Sequence, residues 1–198
     1  MPAHVEEPAA FPPTALRTLE RALLGSPYFA THTLNRDFVG TRGFSVVFRA
    51  DGRREVERAF PALAAYLARV LRPDCNAFYL NPLLLGPGSR VDPHVDRSLR
   101  SYCKEVLPPV AVSVLYVAVS PGLAGGELVL ARGKKRLARV RPVAGTLLHF
   151  DGDLTHSIEP LSGPGERLSL VCEQYALDAD ELARVPLFRI ETRARGYG

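Results

Sequence analysis

Two histidines and one aspartate have a spacing in the sequence that suits the binding of a divalent metal ion. The stretch RVDPHVDRS (90–98) places His94 and Asp96 two residues apart, and residues two apart in an extended strand point to the same side. His156 follows the apolar run TLLHF, so all three side chains converge if the two strands are neighbours. Imidazole and carboxylate ligands suit a borderline divalent ion, and three protein ligands leave coordination positions open. A closed structural zinc site needs a fourth ligand, usually cysteine, and none lies within a few residues of either histidine.

Arg167 opens the run RLSLVCEQY, eleven residues after His156. In a strand Arg167 and Ser169 share one face, and an arginine beside a hydroxyl is suited to hold a carboxylate. Burying a guanidinium without an anion is costly. An inward-facing Arg167 therefore predicts a guest molecule that carries a carboxylate. Tyr79 and Tyr116 are two further hydroxyl groups that could line the same cavity.

Residues 1–73 are predicted to form a mainly helical support region. The stretch TALRTLERALLG (14–25) predicts a helix, with a capping threonine and a closing glycine. Apolar residues also recur at spacings of three and four over residues 56–70, which indicates a second amphipathic helix. Pro61 falls inside that stripe, so this helix is expected to begin near residue 60. Between the two helices, FSVVFRA (44–50) is typical of a strand.

Residues 74–177 change to short apolar or alternating runs, separated by turns such as GPGS, SPGLAGG and PVAG. Several strands at near-regular spacing with glycine- and proline-rich turns indicate one antiparallel β sandwich or barrel. In residues 178–198, DADELARV predicts a short helix because Asp178 and Glu181 are spaced as in a capping box. The basic tail that follows is expected to be loose. The sequence therefore predicts a single domain, mainly β with flanking helices.

The composition is that of an ordinary globular protein. The 198 residues are 46% hydrophobic and 23% charged, which is enough apolar material for a core. The net charge of +4 permits an acidic partner but does not require one. Three scattered cysteines without a CxxC motif favour a reducing compartment. No signal-peptide pattern and no apolar run near the ~20 residues of a membrane span are present, so a cytoplasmic location is expected.

Four motifs in a fixed order carry a family resemblance: HVD, then GGELVL, then PVAGTLLHFDGDLTHSIEPL, then RLSL, over roughly residues 75–176. Together they resemble the Fe(II)/2-oxoglutarate-dependent dioxygenases, and the prolyl-hydroxylase-like branch in particular. The resemblance implies a double-stranded β-helix, or cupin-like jelly roll, with the N-terminal helices packed on one sheet. It also implies that His94, Asp96 and His156 bind Fe(II) at the open end of this barrel.

The resemblance further implies a binding site for 2-oxoglutarate. Arg167 would pair with its distal carboxylate, while Tyr116 and Ser169 match residues that help to hold this carboxylate in some relatives. Tyr79 is a further match, although it lies farther from His94 than the corresponding tyrosine does. Collagen-type prolyl hydroxylases have a lysine where Arg167 stands, so the chain departs from that subgroup.

The implied reaction consumes 2-oxoglutarate and O2 and releases succinate and CO2, with ascorbate as a possible reductant. The carboxylate of Asp96 favours hydroxylation or desaturation, because related halogenases have a small residue at this place. A free amino acid, a peptide or protein residue, or a small natural-product intermediate would be the substrate. Residues 97–110 are expected to form a loop near the mouth, where Arg97, Arg100 and Lys104 would meet a carboxylate or simply face solvent.

Two other functions are compatible with the same fold. An alkylated nucleic-acid demethylase would need a basic groove with stacking aromatic residues, and the run RGKKRLARVR is basic. The absence of tryptophan and an aromatic content of 8% make nucleic acid an unlikely partner. The other alternative is a non-catalytic jelly-roll module that binds a metal or a small acid as a sensor.

Simpler roles are also available for several of these residues. His149 lies inside the run TLLHF and is interpreted as a strand histidine with its own hydrogen bonds. Asp92 shares the alternation of the metal motif, but the order His-x-Asp favours Asp96. For Arg167, a surface salt bridge with Glu166 or Glu173 is the alternative to a carboxylate clamp.

Overall fold

The structure, a computed structural model, describes residues 3–31 and 37–194. The strands in these ranges are β1 (His4–Glu7), β2 (Ala30–Thr31), β3 (Phe38–Gly43), β4 (Ser45–Arg49), β5 (Ala77–His94), β6 (Ala111–Val119), β7 (Leu128–Arg132), β8 (Lys135–Val140), β9 (Leu147–Asp151), β10 (Thr155–Ile158), β11 (Arg167–Tyr175) and β12 (Phe188–Glu191). The α-helices are α1 (Pro13–Leu24), α2 (Arg53–Ala59), α3 (Ala64–Val70) and α4 (Ala179–Arg184).

The strands form one antiparallel sheet that curls on itself. Its hydrogen-bonded order is β1-β9-β6-β11-β5-β10-β7-β8, with β3 and β4 also paired to β5. The long strand β5 belongs to both halves, because its first part pairs with β11 and its last residues pair with β10. This arrangement confirms the predicted mainly β fold with a jelly-roll core.

The two faces of β11 show how the sheet separates core from cavity. Leu168, Leu170 and Cys172 pack in the cluster that also contains the helical leucines, whereas Arg167 and Glu173 line a cavity on the other face. Successive residues of a strand point to opposite faces. The alternation in RLSLVCEQY therefore places apolar residues towards the helices and polar residues inside the curled sheet.

The N-terminal helices cover one face of the sheet, as predicted. The apolar side of α1 consists of Leu16, Leu19 and Leu23, and all three are buried. The expected single helix near residue 60 is instead two helices, because α2 ends at Ala59 and a short 3-10 turn over Pro61–Leu63 precedes α3. Proline has no N–H to donate to the preceding turn, which explains the interruption.

Three parts of the chain differ from the expected organisation: the N-terminal region, the GPGS stretch and the C-terminal tail. Residues 1–73 contain β1, β2 and β3 besides the helices and β4, and only β4 matches the strand predicted over residues 44–50. The GPGS stretch does not separate two strands, because β5 continues through it with Gly88 at a φ of 79°. A hydrogen bond from Ser89 Oγ to the Gly40 carbonyl, 2.6 Å long, holds this bend. In the expected loose tail, β12 pairs with β4, and residues 195–198 lie outside the described residues.

The oxidation state of the cysteines and the character of the helices can be read from the structure. Cys75, Cys103 and Cys172 are buried and free, as expected for small hydrophobic residues. Burial raises the pKa of the Cys172 thiol, which keeps it protonated and unreactive. None of the helices in the described ranges combines the length and apolar character that crossing a membrane requires.

Replacing Leu67 by alanine tests the packing of the helices on the sheet. Leu67 in α3 is fully buried in the cluster that joins helices and sheet, so the variant is expected to lose about 2–5 kcal/mol of unfolding free energy. Urea denaturation measures this loss. The control is Leu107→Ala, since Leu107 is 76% exposed and its loss should change stability by less than about 0.5 kcal/mol. Equal small effects in both variants would contradict the packing described.

Candidate metal centre

The three predicted ligands meet where β5 and β10 pair. His94, the last residue of β5, lies directly opposite His156 of β10, and the centroids of the two imidazole rings are 4.4 Å apart. Asp96 follows β5 by two residues. One potential ligand atom from each of the three side chains lies within 4.8 Å of the others. The structure therefore brings together the residues that the sequence analysis selected.

The carboxylate of Asp96 lies between the two imidazoles. Its Oδ1 is 3.3 Å from His94 Nε2, and its Oδ2 is 3.4 Å from His156 Nε2. Within the described residues, Asp96 Oδ2 and His94 Nε2 are buried atoms without a hydrogen-bond partner. Buried polar atoms are costly when they are left unsatisfied. A cation bound between these atoms would satisfy them.

The other nitrogen of each imidazole is held by the backbone. His94 Nδ1 is 2.8 Å from the Asp92 carbonyl oxygen, and His156 Nδ1 is 3.2 Å from the Leu154 carbonyl oxygen. Because a carbonyl oxygen only accepts, each Nδ1 carries the proton and donates. Both Nε2 lone pairs are then directed into the site, which is the tautomer that a metal-binding histidine needs.

The charges of the site favour a cation. Burial by itself would lower the pKa of His94, but the adjacent Asp96 carboxylate outweighs it and raises that pKa. Burial would likewise raise the pKa of Asp96, yet the adjacent imidazoles of His156 and His94 hold it well below its ordinary range. Asp96 is therefore a carboxylate at neutral pH, ready to ligate a metal.

A cavity of about 470 Å³ extends from this centre into the curled sheet. Besides the three ligands, its wall contains Arg167 and Tyr79. The segment after the metal motif forms part of the mouth, as expected, since Arg97 and Arg100 also line the cavity. Lys104 is exposed and is not on the cavity wall. The wall also contains many apolar side chains: Phe38, Leu83, Val91, Val95, Val112, Val114, Leu128, Phe150, Ile158 and Val171.

Arg167 is a buried cation that forms no salt bridge in the described part of the chain, although the charge of Glu127 acts on its pKa. It is 1% exposed, its Nη1 donates to the Gly126 carbonyl, and its Nε has no hydrogen-bond partner. Burial lowers the pKa of Arg167. No salt bridge to Glu166 or Glu173 is formed. Glu173 lies six residues along the same strand, a distance of roughly 20 Å, so the surface salt-bridge alternative is excluded.

Tyr116 and Ser169 lie next to Arg167. The Arg167 guanidinium carbon is 5.1 Å from the centroid of the Tyr116 ring, and Ser169 is the cross-strand partner of Tyr116. Both hydroxyl groups are buried and lack a hydrogen-bond partner. Neither residue is on the wall of the main cavity, which Arg167 reaches. Their participation in cosubstrate binding stays a prediction.

Tyr79 lies at the opposite end of the cavity from Arg167. It is the cross-strand partner of Glu173, and its hydroxyl forms a short hydrogen bond with Ser45 Oγ. Burial raises the pKa of Tyr79, so the hydroxyl stays protonated. The predicted role of Tyr79 as a residue of the cosubstrate site is not tested by this placement.

Glu173 is a residue of the cavity that the sequence analysis considered only as a salt-bridge partner. It is 3% exposed and lies on the cavity wall. Its Oε1 accepts from Ser98 Oγ at 2.5 Å, and its Oε2 accepts from the Ser98 backbone N–H at 3.2 Å and from the Tyr175 hydroxyl. Burial, followed by the charge of Asp96, raises the pKa of Glu173 to about 8. The alternation that starts at Arg167 could have identified Glu173 as an inward-facing residue.

This raised pKa predicts a pH dependence of stability. Between the ordinary value of 4.5 and about 8, the unfolded chain is ionised while the folded protein keeps the proton. Folding stability from this group is therefore complete below pH 4.5 and is lost as the pH rises through 8. Relative to Glu173→Gln, the metal-free wild type should lose at least about 1 kcal/mol of unfolding free energy between pH 5 and pH 8.

Urea denaturation at the two pH values measures this difference. The control is Glu105→Gln, because Glu105 is exposed and outside the cavity, and this variant should follow the wild type. A constant difference between Glu173→Gln and the wild type at both pH values would show that Glu173 has an ordinary pKa.

The two residues set aside in the sequence analysis lie outside the metal centre. His149 Nδ1 is 2.8 Å from Ser113 Oγ, and its Nε2 is 3.8 Å from a Glu7 carboxylate oxygen, which confirms a strand histidine with its own partners. Asp92 forms a 2.8 Å ion pair with Arg90. Its backbone carbonyl, rather than its side chain, serves the site through His94.

Comparison with known proteins identifies solved structures that share this fold. No protein-family model and no curated protein sequence matches the chain. Solved structures do match, and a prolyl-4-hydroxylase from Pseudomonas putida superposes with a TM-score of 0.61 and 20% identity, covering 90% of this chain and 95% of that one. The chain has the double-stranded β-helix fold of the 2-oxoglutarate-Fe(II) oxygenases.

Two further structures show the range of that class. A prolyl hydroxylase from Trichoplax adhaerens, in complex with a hypoxia-inducible-factor peptide, has a TM-score of 0.59 at 14% identity and covers 91% of this chain and 86% of its own. HygX from Streptomyces hygroscopicus, with nickel and 2-oxoglutarate bound, has a TM-score of 0.54 at 13% identity, over 89% of this chain and 84% of its own. At these identities the likeness is one of fold, and it confirms the fold that the sequence motifs implied.

Proposed function

We propose that this chain is an Fe(II)- and 2-oxoglutarate-dependent oxygenase that hydroxylates its substrate and releases succinate and CO2. One observation carries the proposal. A single cavity has a two-histidine, one-carboxylate face with unpaired ligand atoms and, on the same wall, the buried Arg167, which forms no salt bridge within the described residues. The first feature fits a divalent iron site with open positions, and the second fits a dicarboxylate cosubstrate.

Each residue has a definite task in this proposal. His94 and His156 present Nε2, and Asp96 presents a carboxylate oxygen, to the metal. Bound Fe(II) would supply the O2 chemistry, with 2-oxoglutarate as the two-electron reductant. Arg167 would pair with the distal carboxylate of 2-oxoglutarate, and the ring of Tyr116 beside it keeps the guanidinium in place.

The apolar wall of the cavity has a separate task. Val112, Val114 and Phe150 line it, and with cosubstrate and substrate bound they would help to exclude water from the reacting atoms. Exclusion of water would strengthen the electrostatic interactions of Arg167 with 2-oxoglutarate and of Asp96 with the metal ion, and it would limit side reactions.

The substrate belongs to the same proposal. An amino acid, a peptide residue or a small natural-product intermediate fits a cavity of about 470 Å³, and one structural neighbour was solved with a bound peptide. Nucleic acid is a disfavoured partner because the chain has no tryptophan and 8% aromatic residues. A reducing, cytoplasmic compartment, which the three free cysteines support, completes the proposal.

Succinate release tests the proposed function directly. The purified chain is incubated with Fe(II), 2-oxoglutarate, ascorbate and pooled amino acids and peptides, and succinate and the gain of one oxygen atom are followed by mass spectrometry. We expect succinate that depends on Fe(II) and a product heavier by one oxygen. Binding of 2-oxoglutarate without any succinate would identify a sensor module and contradict the proposal.

A further inference from the structure

Glu173 is the buried acidic group that the proposed function leaves unexplained. The carboxyl group is 3% exposed, and its hydrogen-bond donors, Ser98 and Tyr175, are neutral. Among residues 3–31 and 37–194, no lysine, arginine or histidine is a hydrogen-bond partner of Glu173. The ionised form of this buried group requires a cationic partner, which a bound molecule would have to supply.

The hydrogen bonds of Glu173 leave room for one more donor. An ionised carboxylate has about four acceptor positions. The Ser98 hydroxyl, the Ser98 backbone N–H and the Tyr175 hydroxyl occupy three of them. The group is thus fixed in orientation while one acceptor position is available on the side of the cavity, whose wall Glu173 joins.

Glu173 lies at the end of the cavity where substrate would enter. Arg167 and Glu173 are on the same face of β11, six residues and roughly 20 Å apart. The charge of Asp96 contributes to the raised pKa of Glu173, and Ser98, which binds Glu173, follows Asp96 by two residues. Glu173 is therefore close to the metal ligand and to the mouth residues Arg97 and Arg100, whereas 2-oxoglutarate is assigned to the Arg167 end.

We infer that Glu173 binds a protonated nitrogen of the substrate, so that the substrate is a small amine such as a free amino acid. This inference rests on the proposed function and names its substrate class. An ammonium group would supply the missing positive charge and a charge-assisted hydrogen bond to the remaining acceptor position. An uncharged amide nitrogen of a peptide would leave the carboxylate without a counter-charge.

A paired panel of substrates tests the inference with the wild-type protein. Free L-amino acids and small amines are compared with their N-acetylated counterparts, in the presence of Fe(II), 2-oxoglutarate and ascorbate, by succinate release and oxygen incorporation. We expect conversion of at least one free amine, and a kcat/KM roughly ten- to a hundredfold lower after acetylation of its nitrogen. Equal conversion of the acetylated form, or conversion of no amine despite Fe(II)-dependent succinate release, would overturn the inference.

The same reactions separate the two proposals. No Fe(II)-dependent succinate in any reaction would count against the proposed function as a whole. Succinate release together with a preference for acetylated compounds would count against the role of Glu173 alone.

The variant Glu173→Gln tests the residue itself. It keeps the shape and most hydrogen-bonding capacity of the side chain but removes the charge. For a converted amine, KM should rise roughly ten- to a hundredfold, and the preference for the free amine over its acetylated form should fall to about one. Glu105→Gln, which removes an exposed charge outside the cavity, should keep the wild-type preference. A purely structural role of Glu173 would lower both rates and leave the preference unchanged, which would refute the assignment.

Discussion

Replacement of Asp96 by alanine is expected to lower Fe(II)-dependent succinate release by more than about a hundredfold. Loss of a residue that only supports a ligand commonly costs 10–100-fold in metal affinity or activity, and Asp96 is a proposed ligand itself. It is also the group that brings negative charge between His94 and His156, at 3.3 and 3.4 Å from their Nε2 atoms. Succinate release and the affinity for Co²⁺, measured by its absorption spectrum, should both fall.

The matched control for this experiment is Asp92, which precedes Asp96 by four residues. Asp92→Ala removes a carboxylate from the same strand end, but that side chain is 42% exposed and paired with Arg90. The backbone carbonyl that orients His94 is retained. This variant should keep activity and Co²⁺ binding within about threefold of the wild type. Equal losses in both variants, or full activity in Asp96→Ala, would refute the assignment of ligands.

Arg167→Met is expected to separate binding from stability. Truncation of one member of a buried charged pair costs about 2–5 kcal/mol of binding energy, so the affinity for 2-oxoglutarate should fall at least about a hundredfold. The unfolding free energy without cosubstrate should change by less than about 1 kcal/mol. The lost hydrogen bond to Gly126 is offset because a desolvated guanidinium is also removed.

Thermal unfolding with and without 2-oxoglutarate, in the presence of Ni²⁺, measures both effects. At a cosubstrate concentration of 100 Kd the wild type should gain about 2.7 kcal/mol, and the variant should gain almost nothing. Arg136→Met is the control, because Arg136 is exposed on β8 and its loss should leave the cosubstrate effect intact. A large drop in stability of Arg167→Met without cosubstrate would show that Arg167 serves the fold rather than a guest.

Sequence alternation together with the order of the motifs predicted the metal face. His94 and Asp96 are two residues apart, and the motif order supplied His156, so no knowledge of long-range pairing was needed beyond the family resemblance. The same rule applied to β11 places Arg167, Ser169 and Glu173 on one face. Glu173 was nevertheless not predicted as a cavity residue, because alternation gives direction and does not reveal what a side chain meets.

The parts of the fold that were not predicted depend on pairing between distant residues. Strand β12 exists because it pairs with β4, residue by residue from Phe188 opposite Phe48, and nothing local in the tail indicates this partner. The continuation of β5 through GPGS likewise depends on contacts outside the segment, such as the Ser89 bond to Gly40. Local signals in that stretch favour a turn, and tertiary pairing overrides them.

The course of β5 has a consequence for how long a bound metal stays in place. Near His94 this strand is paired with β10 on one side and β3 on the other, so releasing His94 would require the opening of a central part of the sheet. Asp96 lies beyond the strand, on a short turn that Ser98 ties to Glu173. Fraying of that turn alone would free one ligand at a small fraction of the cost of global unfolding. If the proposed site holds an ion, this local opening would set its residence time, and Asp96 would be the first ligand to depart and the last to return.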